Sequence, residues 1–388
     1  MTKPPHLSAV PTTREPLSRL AVDRAVSELR RGRAVVILAG DGRAILALAA
    51  ENATQARLDA LGEQAGAPAA MAMTGRRATV LNMVPSPDKV AIVAARGDSP
   101  LDAALALDLA DPLSGVKGAG LIQRLKRHRV ERADRHSAEA AAIQLTKIAR
   151  LLPAAIVAAV SLSDNDDVIA WSARHDLIAV DAGDVFQYEA STARSLKRIS
   201  EASVPLADAA VSRVIAFRPA DGGLEHLAIV IGEPDGDTPV LARLHSECFT
   251  GDLLGSLRCD CGDQLRGAIA EIAKQGAGVL LYLAQEGRGI GLVNKLRAYT
   301  LQDEGFDTVE ANEQLGYDAD ERVYLPAAQM LRDLGFSRVR LMTNNPEKVA
   351  QLAACGVEVT DRVGHAFPSN QHNEQYLRTK AARSGHLI

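Results

Sequence analysis

The sequence has few cysteines, no apolar run long enough to span a bilayer, and no strong excess of charge of either sign. Its 388 residues include 4 cysteines, and the formal net charge is −4. The N-terminus lacks the apolar core of a signal peptide, and the cysteine count argues against a disulfide framework. A near-neutral charge argues against wholesale binding to nucleic acid or to an anionic membrane. We therefore expect a cytoplasmic protein that takes neither nucleic acid nor membrane as a partner.

The length and composition indicate two domains, and internal repeats and low-complexity tracts are absent. With 47% hydrophobic and 24% charged residues, each half can bury a core. Residues 1–17 carry four prolines and little pattern, which predicts a mobile tail. We place the domain boundary after residue 204, giving an N-terminal domain at 18–204 and a C-terminal domain at 205–388.

The pattern in 18–204 predicts a mixed α and β domain. Apolar runs of strand length alternate with stretches of helical periodicity. The predicted elements are a helix ending near Gly32, a strand from Ala34, a helix over 138–151, strands over 154–160 and 177–180, and a helix over 191–202.

The C-terminal half begins with β-like runs and continues as a layered α/β pattern. Runs at 211–217, 226–231 and 240–245 are separated by turns rich in Gly, Pro and Asp, which predicts antiparallel strands. The alternation that follows is typical of a layered α/β domain. It comprises predicted helices over 263–274, 292–304, 326–334 and 346–354, and predicted strands over 278–284 and 338–342. The polar C-terminal tail, with His372, Lys380 and His386, indicates no role.

Cys248, Cys259 and Cys261 lie close together in the sequence, whereas the fourth cysteine is far downstream. Three thiolates at this spacing predict a zinc site, and the count favours a catalytic one. A catalytic zinc usually keeps three protein ligands and an open position, whereas a structural zinc takes four. Two alternatives remain at this point: a closed site with His245 as the fourth ligand, and three thiols that bind no metal.

Two strand-to-helix junctions predict an anionic ligand. The glycines of 287–291 allow close approach of the backbone, and the following helix presents free N–H groups. Nearby Arg288, Lys295 and Arg297 favour an anion over a plain tight turn. At the second junction Asn345 caps a helix that carries Lys348 one turn in, although an ordinary capped helix has the same pattern. Neither a Walker loop nor a complete dinucleotide fingerprint is present.

Taken in order, these motifs resemble GTP cyclohydrolase II, the enzyme that opens the guanine ring of GTP to begin riboflavin synthesis. The resemblance runs from about Arg243 to the C-terminus. It rests on four stretches, RLHSECFTGDLLGSLRCDCGDQL, YLAQEGRGIGLVNKLRAYTLQDEGFDTVEAN, DADER and LMTNNPEK. The fold that it implies for this half is the α/β fold of that family, and the metal that it implies is Zn²⁺ on Cys248, Cys259 and Cys261.

The resemblance also implies roles for residues that the local pattern leaves unassigned. It implies Asp320 as the proton acceptor, Arg322 as a nucleophile toward the α-phosphorus, and Tyr299 beside the reacting base. A charge clamp is an alternative role for Arg322, because a protonated guanidinium has no free lone pair. The implied GTP contacts are Arg243, Leu244, His245, Ser246, Glu247, Gln264, Glu286, Gly287, Arg288, Thr308, Thr343 and Lys348.

The implied reaction is hydrolysis of GTP at C8 of the guanine. Zinc lowers the pKa of water from 15.7 to roughly 7, which supplies hydroxide at neutral pH. The products would be 2,5-diamino-6-hydroxy-4-(5-phosphoribosylamino)pyrimidine, formate and pyrophosphate, with Mg²⁺ on the triphosphate and a homodimer as the assembly. Two alternatives are a non-catalytic zinc-containing nucleotide sensor and a variant enzyme that stops at the formylated product.

The N-terminal half resembles 3,4-dihydroxy-2-butanone 4-phosphate synthase more faintly. The resemblance rests on ELRRGRAVVIL, LAAEN and RADRHSAEAAAIQL. The acidic run with which that family holds Mg²⁺ and a sugar phosphate is replaced here, leaving Asp41, Arg43 and Glu51. His136 lies near the position of a metal-binding histidine. We therefore expect a retained synthase-like α+β fold without synthase activity, with dimerisation or regulation as its remaining role.

Overall fold

The computed structural model describes residues 14–97, 99–114, 119–162 and 167–365. Most of the predicted tails, including His372, Lys380 and His386, lies outside these ranges. A helix begins at Glu15, inside the stretch 1–17 that was predicted as a tail, and the fixed φ of Pro16 suits its first turn. No helix in the described ranges is long and apolar enough to cross a membrane.

The chain divides into two compact units that are not simply its two halves. The first unit holds the chain up to Tyr188 and also Leu296–Phe306 and Glu310–Ala319. The second unit holds Glu189–Lys295, Asp307–Val309 and the chain from Asp320 onward. Two short stretches of the C-terminal half therefore pack with N-terminal sequence.

The first unit is built on a seven-stranded sheet. Its strands are β1 (Val35–Leu38), β2 (Ala44–Ala49), β3 (Ala70–Met73), β4 (Val90–Ala95), β5 (His128–Ala133), β6 (Ala154–Ala159) and β7 (Ala179–Asp181). The order is β5–β4–β3–β6–β2–β1–β7, antiparallel throughout except for the parallel pair β1–β7. The helices are α1 (Glu15–Arg30), α2 (Gln55–Ala65), α3 (Gly75–Val80), α4 (Ala103–Ala110), α5 (Ala119–Leu125), α6 (Ala138–Ile148), α7 (Val168–Arg174) and α8 (Ala182–Arg194).

The core of the first unit lies between this sheet and helices α1 and α6. Val22, Val26 and Leu29 recur at helical spacing along α1 and are at most 3% exposed. They join the buried residues of β1 and β2, and Leu145 of α6, in one apolar cluster. The mixed α and β architecture predicted for this part of the chain is confirmed.

The second unit carries another seven-stranded sheet and the remaining helices. Its strands are β8 (Lys197–Ser203), β9 (Ser212–Arg218), β10 (His226–Ile231), β11 (Val240–Ser246), β12 (Gly278–Leu283), β13 (Arg338–Met342) and β14 (Glu358–Val363). Its helices are α9 (Cys261–Lys274), α10 (Leu292–Asp303, which continues into the first unit), α11 (Thr308–Gln314, likewise shared), α12 (Leu325–Asp333) and α13 (Pro346–Ala354). The predicted layered α/β pattern is confirmed.

Two predictions about this region were wrong. The helix expected over 191–202 ends at Arg194, and Lys197–Ser203 is a strand exposed along its whole length. Its charged residues suit an edge strand, which must avoid pairing with other chains. In the sequence alone, the same charged residues were interpreted as the solvated face of a helix. β9 and β10 pair antiparallel as expected, but β11 runs parallel to β12 and β13.

The parallel arrangement places the predicted motifs together. Because β11, β12 and β13 run parallel, their carboxyl ends lie at one edge of the sheet, where ligands of open α/β sheets usually bind. The cysteine loop follows β11, the glycine turn follows β12, and the junction at Thr343 follows β13. The sheet order β13–β11–β12 makes the three loops neighbours.

Candidate metal centre and active site

The three clustered cysteines converge on one point. Cys248 follows β11 and precedes a π-helical turn, Phe249–Leu253, while Cys259 and Cys261 lie at the start of α9. The three Sγ atoms lie within 4.8 Å of one another. Among the described residues no other His, Cys, Asp or Glu donor joins this group.

The closed-site alternative with His245 as a fourth ligand is not supported. Nε2 of His245 lies 3.0 Å from Oδ1 of Asp252, and the ring stacks on Tyr282. Asp252 also accepts the Cys248 N–H at 2.9 Å and the Tyr282 hydroxyl at 2.9 Å. His245 thus helps to orient the loop that carries Cys248.

Gly251 makes the close approach of the sulfurs possible. A Cβ at this position would lie 2.8 Å from Sγ of Cys259, 2.9 Å from Cβ of Cys261 and 3.0 Å from Sγ of Cys248. The backbone of the π-helical turn therefore forms a cradle that a methyl group would fill. Three soft thiolates with no fourth His, Cys, Asp or Glu donor among the described residues fit a zinc ion that keeps an open position.

Lys295 and hydrogen bonds between the thiols set the protonation of the cluster. Hydrogen bonds from Cys259 and Cys261 hold the pKa of Cys248 well below its usual value, and Nζ of Lys295, 3.0 Å from the Cys248 sulfur, adds to this shift. The shared hydrogen bond with Cys248 raises the pKa of Cys259 to about 11. Zinc ligands are thiolates, so metal binding must release the protons that remain.

Glu286 links the glycine turn to the cysteine loop. Its Oε1 lies 2.8 Å from Nζ of Lys295 and accepts the Gly287 N–H at 3.0 Å, while its Oε2 accepts the Phe249 N–H at 2.6 Å. Both side chains of the ion pair are nearly buried, with 4% of Glu286 and 11% of Lys295 exposed. Both carboxylate oxygens of Glu286 thus have partners inside the protein, and its predicted GTP contact stays a prediction.

The glycine turn has a left-handed backbone and packs on the segment that carries Asp320 and Arg322. Gly287 has φ 64° and Arg288 has φ 61°, a conformation that is uncommon for a non-glycine residue. The carbonyl of Arg288 accepts the N–H of Glu321 at 3.1 Å. A Cβ on Gly289 would lie 2.8 Å from the Glu321 carbonyl oxygen, so this contact requires glycine.

Asp320 and Arg322 form a bidentate ion pair. Nε of Arg322 donates to Oδ1 of Asp320 at 2.8 Å, and the second terminal nitrogen of the guanidinium donates to Oδ2. Burial raises the pKa of Asp320, but the hydrogen bond and charge of Arg322 outweigh burial, so the net shift is downward. Asp320 is therefore ionised at neutral pH, and Arg322 is held in a fixed orientation.

Buried cationic side chains lie at the carboxyl edge of the sheet. Arg243 is 5% exposed; it donates to the Met342 carbonyl at 2.9 Å and to Oε1 of Gln264 at 2.6 Å, while its Nε has no hydrogen-bond partner in the described part of the chain. Burial lowers the pKa of Arg243 to about 10, so it stays protonated. Lys348 is 8% exposed, with Nζ 3.4 Å from the Leu244 carbonyl. Burial, together with the charges of Arg243 and Lys348, lowers the pKa of His245.

The other predicted contacts take varied positions. Oγ1 of Thr343 accepts the Asn345 N–H at 3.0 Å, which turns the chain into α13. Leu244 is buried in β11. Ser246, the last residue of that strand, and Glu247 are half-buried and directly precede Cys248. Thr308 begins α11, and Tyr299 lies half-buried on α10 in the part that belongs to the first unit. The predicted roles of these residues toward GTP stay predictions.

Sequence reasoning missed Asp252 and Tyr282 as parts of the site, and it assigned Lys295 to an anionic ligand rather than to Cys248 and Glu286. Asp252 lies four residues after Cys248 in the loop between the ligands, so an acidic residue there was a usable signal. The pKa of Tyr282 is raised, first by burial and then by Asp252, which keeps its hydroxyl a donor. The contact of Lys295 with Cys248 had no sequence signal, because it depends on how α10 packs.

The fold and the site define an α/β unit in which three cysteine sulfurs that could hold a metal ion share one sheet edge with buried cations. The family model for GTP cyclohydrolase II matches residues 197–364, beginning at the first residue of β8. A GTP cyclohydrolase-2 of Azospirillum brasilense is 54% identical over 371 residues, which cover 95% of this chain and 94% of the relative. The chain belongs to the GTP cyclohydrolase II family.

Other relatives match the whole chain or its C-terminal half. A riboflavin biosynthesis protein RibBA of Synechocystis is 37% identical over 95% of this chain and 71% of the relative. A GTP cyclohydrolase-2 of Enterobacter is 53% identical over 50% of this chain and 98% of the relative. A solved two-domain 3,4-dihydroxy-2-butanone 4-phosphate synthase, RibBX of A. baumannii, has TM-score 0.35 and 17% identity, covering 89% of this chain and 99% of that chain. Likeness at that level carries no argument about function.

Proposed function

We propose that this chain hydrolyses GTP in a zinc-dependent reaction that opens the imidazole ring at C8 and yields the diaminopyrimidine, formate and pyrophosphate. The observation that carries the proposal is the placement of three thiolates at the same sheet edge as buried Arg243 and Lys348. A soft-metal site beside fixed positive charge suits a substrate that joins a base to a polyphosphate. Membership of the GTP cyclohydrolase II family supports the same reaction.

Cys248, Cys259 and Cys261 would hold the zinc. When bound, the metal supplies Lewis acidity and activates water for attack on C8. The cations Arg243 and Lys348 would bind and orient the triphosphate, which we expect to carry Mg²⁺. These charges are already fixed in the fold, so little reorganisation is required when the substrate binds.

Asp320 would accept a proton during the reaction, and Arg322 would bind the phosphate. The lowered pKa of Asp320 keeps its carboxylate ionised at neutral pH, which is the form that can accept a proton. Arg322 is oriented by two hydrogen bonds to that carboxylate and remains protonated, which favours a charge clamp over a nucleophile. We assign Tyr299 to the neighbourhood of the reacting base on the family resemblance alone.

We further propose that the N-terminal sequence lacks synthase activity. Asp41 is exposed and pairs with Arg43 at 2.8 Å, while Glu51 accepts the Leu152 N–H at 2.7 Å. His136 is exposed and lies in the turn between β5 and α6. Among the described residues of the first unit no three His, Cys, Asp or Glu donors lie close enough together to share a metal ion. Conversion of ribulose 5-phosphate to the butanone phosphate with Mg²⁺ would refute this proposal.

The principal test is incubation of the zinc-loaded protein with GTP and Mg²⁺, with formate, pyrophosphate and pyrimidine product quantified. Equimolar formate and pyrophosphate are expected. Absence of turnover would favour a nucleotide sensor, and pyrophosphate without formate would favour the variant that stops at the formylated product.

Cys259→Ser should abolish ring opening, whereas the control Cys355→Ser, at the end of α13, should not. Light scattering would test the expected homodimer.

A further inference from the structure

Two stretches of C-terminal sequence, 296–306 and 310–319, are held in the first unit. The second stretch ends at Ala319, and the next residue is Asp320. The chain that leads into the Asp320–Arg322 turn is therefore anchored among N-terminal residues immediately before it enters the second unit.

The backbone at Gly316 and Tyr317 is fixed by two hydrogen bonds. Oγ1 of Thr74 donates to the Gly316 carbonyl at 2.7 Å, and the Tyr317 hydroxyl donates to the Leu151 carbonyl at 2.5 Å. Tyr317 is 1% exposed. Gly316 has φ 87°, and a Cβ there would lie 2.9 Å from Oγ1 of Thr74, so the close approach requires glycine.

Arg77 joins the ends of two helices within the first unit. Its Nε donates to the Leu109 carbonyl at 2.8 Å near the end of α4, and a terminal nitrogen donates to the Gln314 carbonyl at 2.9 Å at the end of α11. Carbonyl groups at helix C-termini lack intrahelical partners and carry partial negative charge. Arg77 is 4% exposed, and burial lowers its pKa to about 10, so it stays a cation at neutral pH.

The neighbouring Arg76 makes weaker contacts with the same stretch. It pairs with Asp318 at 2.7 Å and with Glu313 at 3.5 Å, but 40% of its side chain is exposed. Exposed ion pairs contribute little to stability, whereas a buried arginine that satisfies two helix ends cannot be removed without leaving those carbonyls unpaired. Adjacent arginines with opposite burial provide a matched comparison.

We propose that Arg77 and Tyr317 are positioning residues for the cyclohydrolase reaction, through which the first unit holds the Asp320–Arg322 turn in its active geometry. The proposal rests on the proposed function of that turn. On the downstream side the turn is fixed to the glycine loop by the Glu321 N–H to Arg288 carbonyl bond. Anchors before and after Asp320 thus define its position, and the first unit contributes the upstream one without chemistry of its own.

The test uses full-length, zinc-loaded Arg77→Met and Tyr317→Phe, with Arg76→Met as the control. Both test variants should lower kcat roughly 10- to 100-fold with little change in KM, because misplaced catalytic groups reduce the rate more than the binding. Arg76→Met should change kcat less than about twofold. Rates are expressed per bound zinc, so that loss of folded protein alone leaves them unchanged. A native kcat per zinc in both test variants would overturn the proposal.

A double-mutant cycle separates positioning from general damage. In an Asp320→Asn background, Arg77→Met should cause a smaller further loss than it does in the native chain, because both changes act on one turn. Fully additive losses would contradict the proposal. Tyr317→Phe removes only one hydroxyl group. It takes the place of Arg77→Met in the cycle if Arg77→Met does not fold.

Hydrogen exchange provides a readout independent of turnover. Amides in 312–323 should exchange faster in Arg77→Met and Tyr317→Phe than in Arg76→Met, because local opening loses its anchor. Unchanged exchange would overturn the proposal even if the native protein proved not to hydrolyse GTP. If the two variants exchange faster but the native chain does not hydrolyse GTP, the anchor is supported and the proposed function is rejected.

Discussion

Nζ of Lys295 lies 3.0 Å from the sulfur of Cys248, so a buried cation touches one of the three sulfurs that would hold the metal. The same ammonium group lies 2.8 Å from Glu286, which in turn accepts the backbone N–H of Phe249. A candidate metal ligand, a cation and a carboxylate from three different segments thus form one buried cluster. Partners behind a ligand orient it and tune the metal.

Lys295→Met should destabilise the protein by about 3–5 kcal/mol, because it leaves Glu286 buried without its counter-charge. Adding Glu286→Gln to that variant should recover much of the loss. Urea unfolding of the single and double variants measures both effects. The exposed pair Arg266–Asp263 is the control, and Arg266→Met should cost less than about 1 kcal/mol. Equal losses in the single and double variants would show that the unpaired charge is not the cause.

Gly251→Ala should abolish tight zinc binding, since the added methyl would meet all three ligand residues at 3.0 Å or less. Zinc content per chain, measured by elemental analysis after dialysis, should fall from one to near zero, and formate release should fall with it. Gly40→Ala adds the same methyl group where no atom lies within 4 Å, and its zinc content should match that of the native chain. Retention of zinc by Gly251→Ala would show that the loop can shift to admit the methyl group.

The pH dependence of turnover should change when Arg322 is removed. Arg322 overcomes the effect of burial and holds the pKa of Asp320 below its usual 3.8, so Asp320 contributes no acid limb near neutral pH. Arg322→Met removes the guanidinium and leaves burial opposed by the backbone N–H of residue 322 and the charge of Arg288, so the acid limb of residual formate release should move upward toward neutral pH. Arg322→Lys keeps the charge and should show a smaller movement. An acid limb at the same pH in all three proteins would exclude Asp320 as the titrating base.

His365 should make the second unit less stable in acid. It is 7% exposed and lies 2.9 Å from the Gln264 carbonyl; burial and the charge of Arg243 lower its pKa from 6.5 to about 4. Between these values the unfolded chain binds a proton that the folded chain does not, so stability is full above pH 6.5 and falls as the pH decreases toward 4. The loss by pH 4.5 should be about 2 kcal/mol.

The pH effect of His365 is isolated by comparing the native chain with His365→Gln, because both share every other titrating group. Urea unfolding followed by circular dichroism at pH 7 and pH 4.5 should show a smaller pH-dependent loss in the variant. An identical loss in both would assign the acid sensitivity to other groups.

The regular elements of the second unit could be predicted from the sequence because local patterns determine them. The strand Arg338–Met342 and the helix Pro346–Ala354 were predicted with their observed bounds, since an apolar run and an Asn-Pro start are local signals. The convergence of Cys248, Cys259 and Cys261 was predicted from the number and spacing of the cysteines. Strand β8 was predicted as helix because its edge position, which permits a charged strand, depends on the whole sheet.

Contacts between distant segments had no signal in the sequence. Tyr317 begins a stretch of mostly charged residues, 317–322, yet it is among the most buried large side chains. Its burial depends on the Leu151 carbonyl, 166 residues away. Lys295 was one of several basic residues near the glycines, and only the packing of α10 assigns it to Cys248. Local patterns specify elements, whereas pairings between segments emerge from the assembled fold.

The return of 296–306 and 310–319 to the first unit has a consequence for dividing this protein. Two domains joined by a single linker can be separated by one cut and expressed apart. Here a cut at residue 204 would leave Leu301, Leu315 and Tyr317, each at most 1% exposed in the whole chain, without their N-terminal packing partners. The C-terminal piece would carry a new apolar surface next to Asp320. Gene splitting, domain exchange and circular permutation must therefore treat the chain as interleaved.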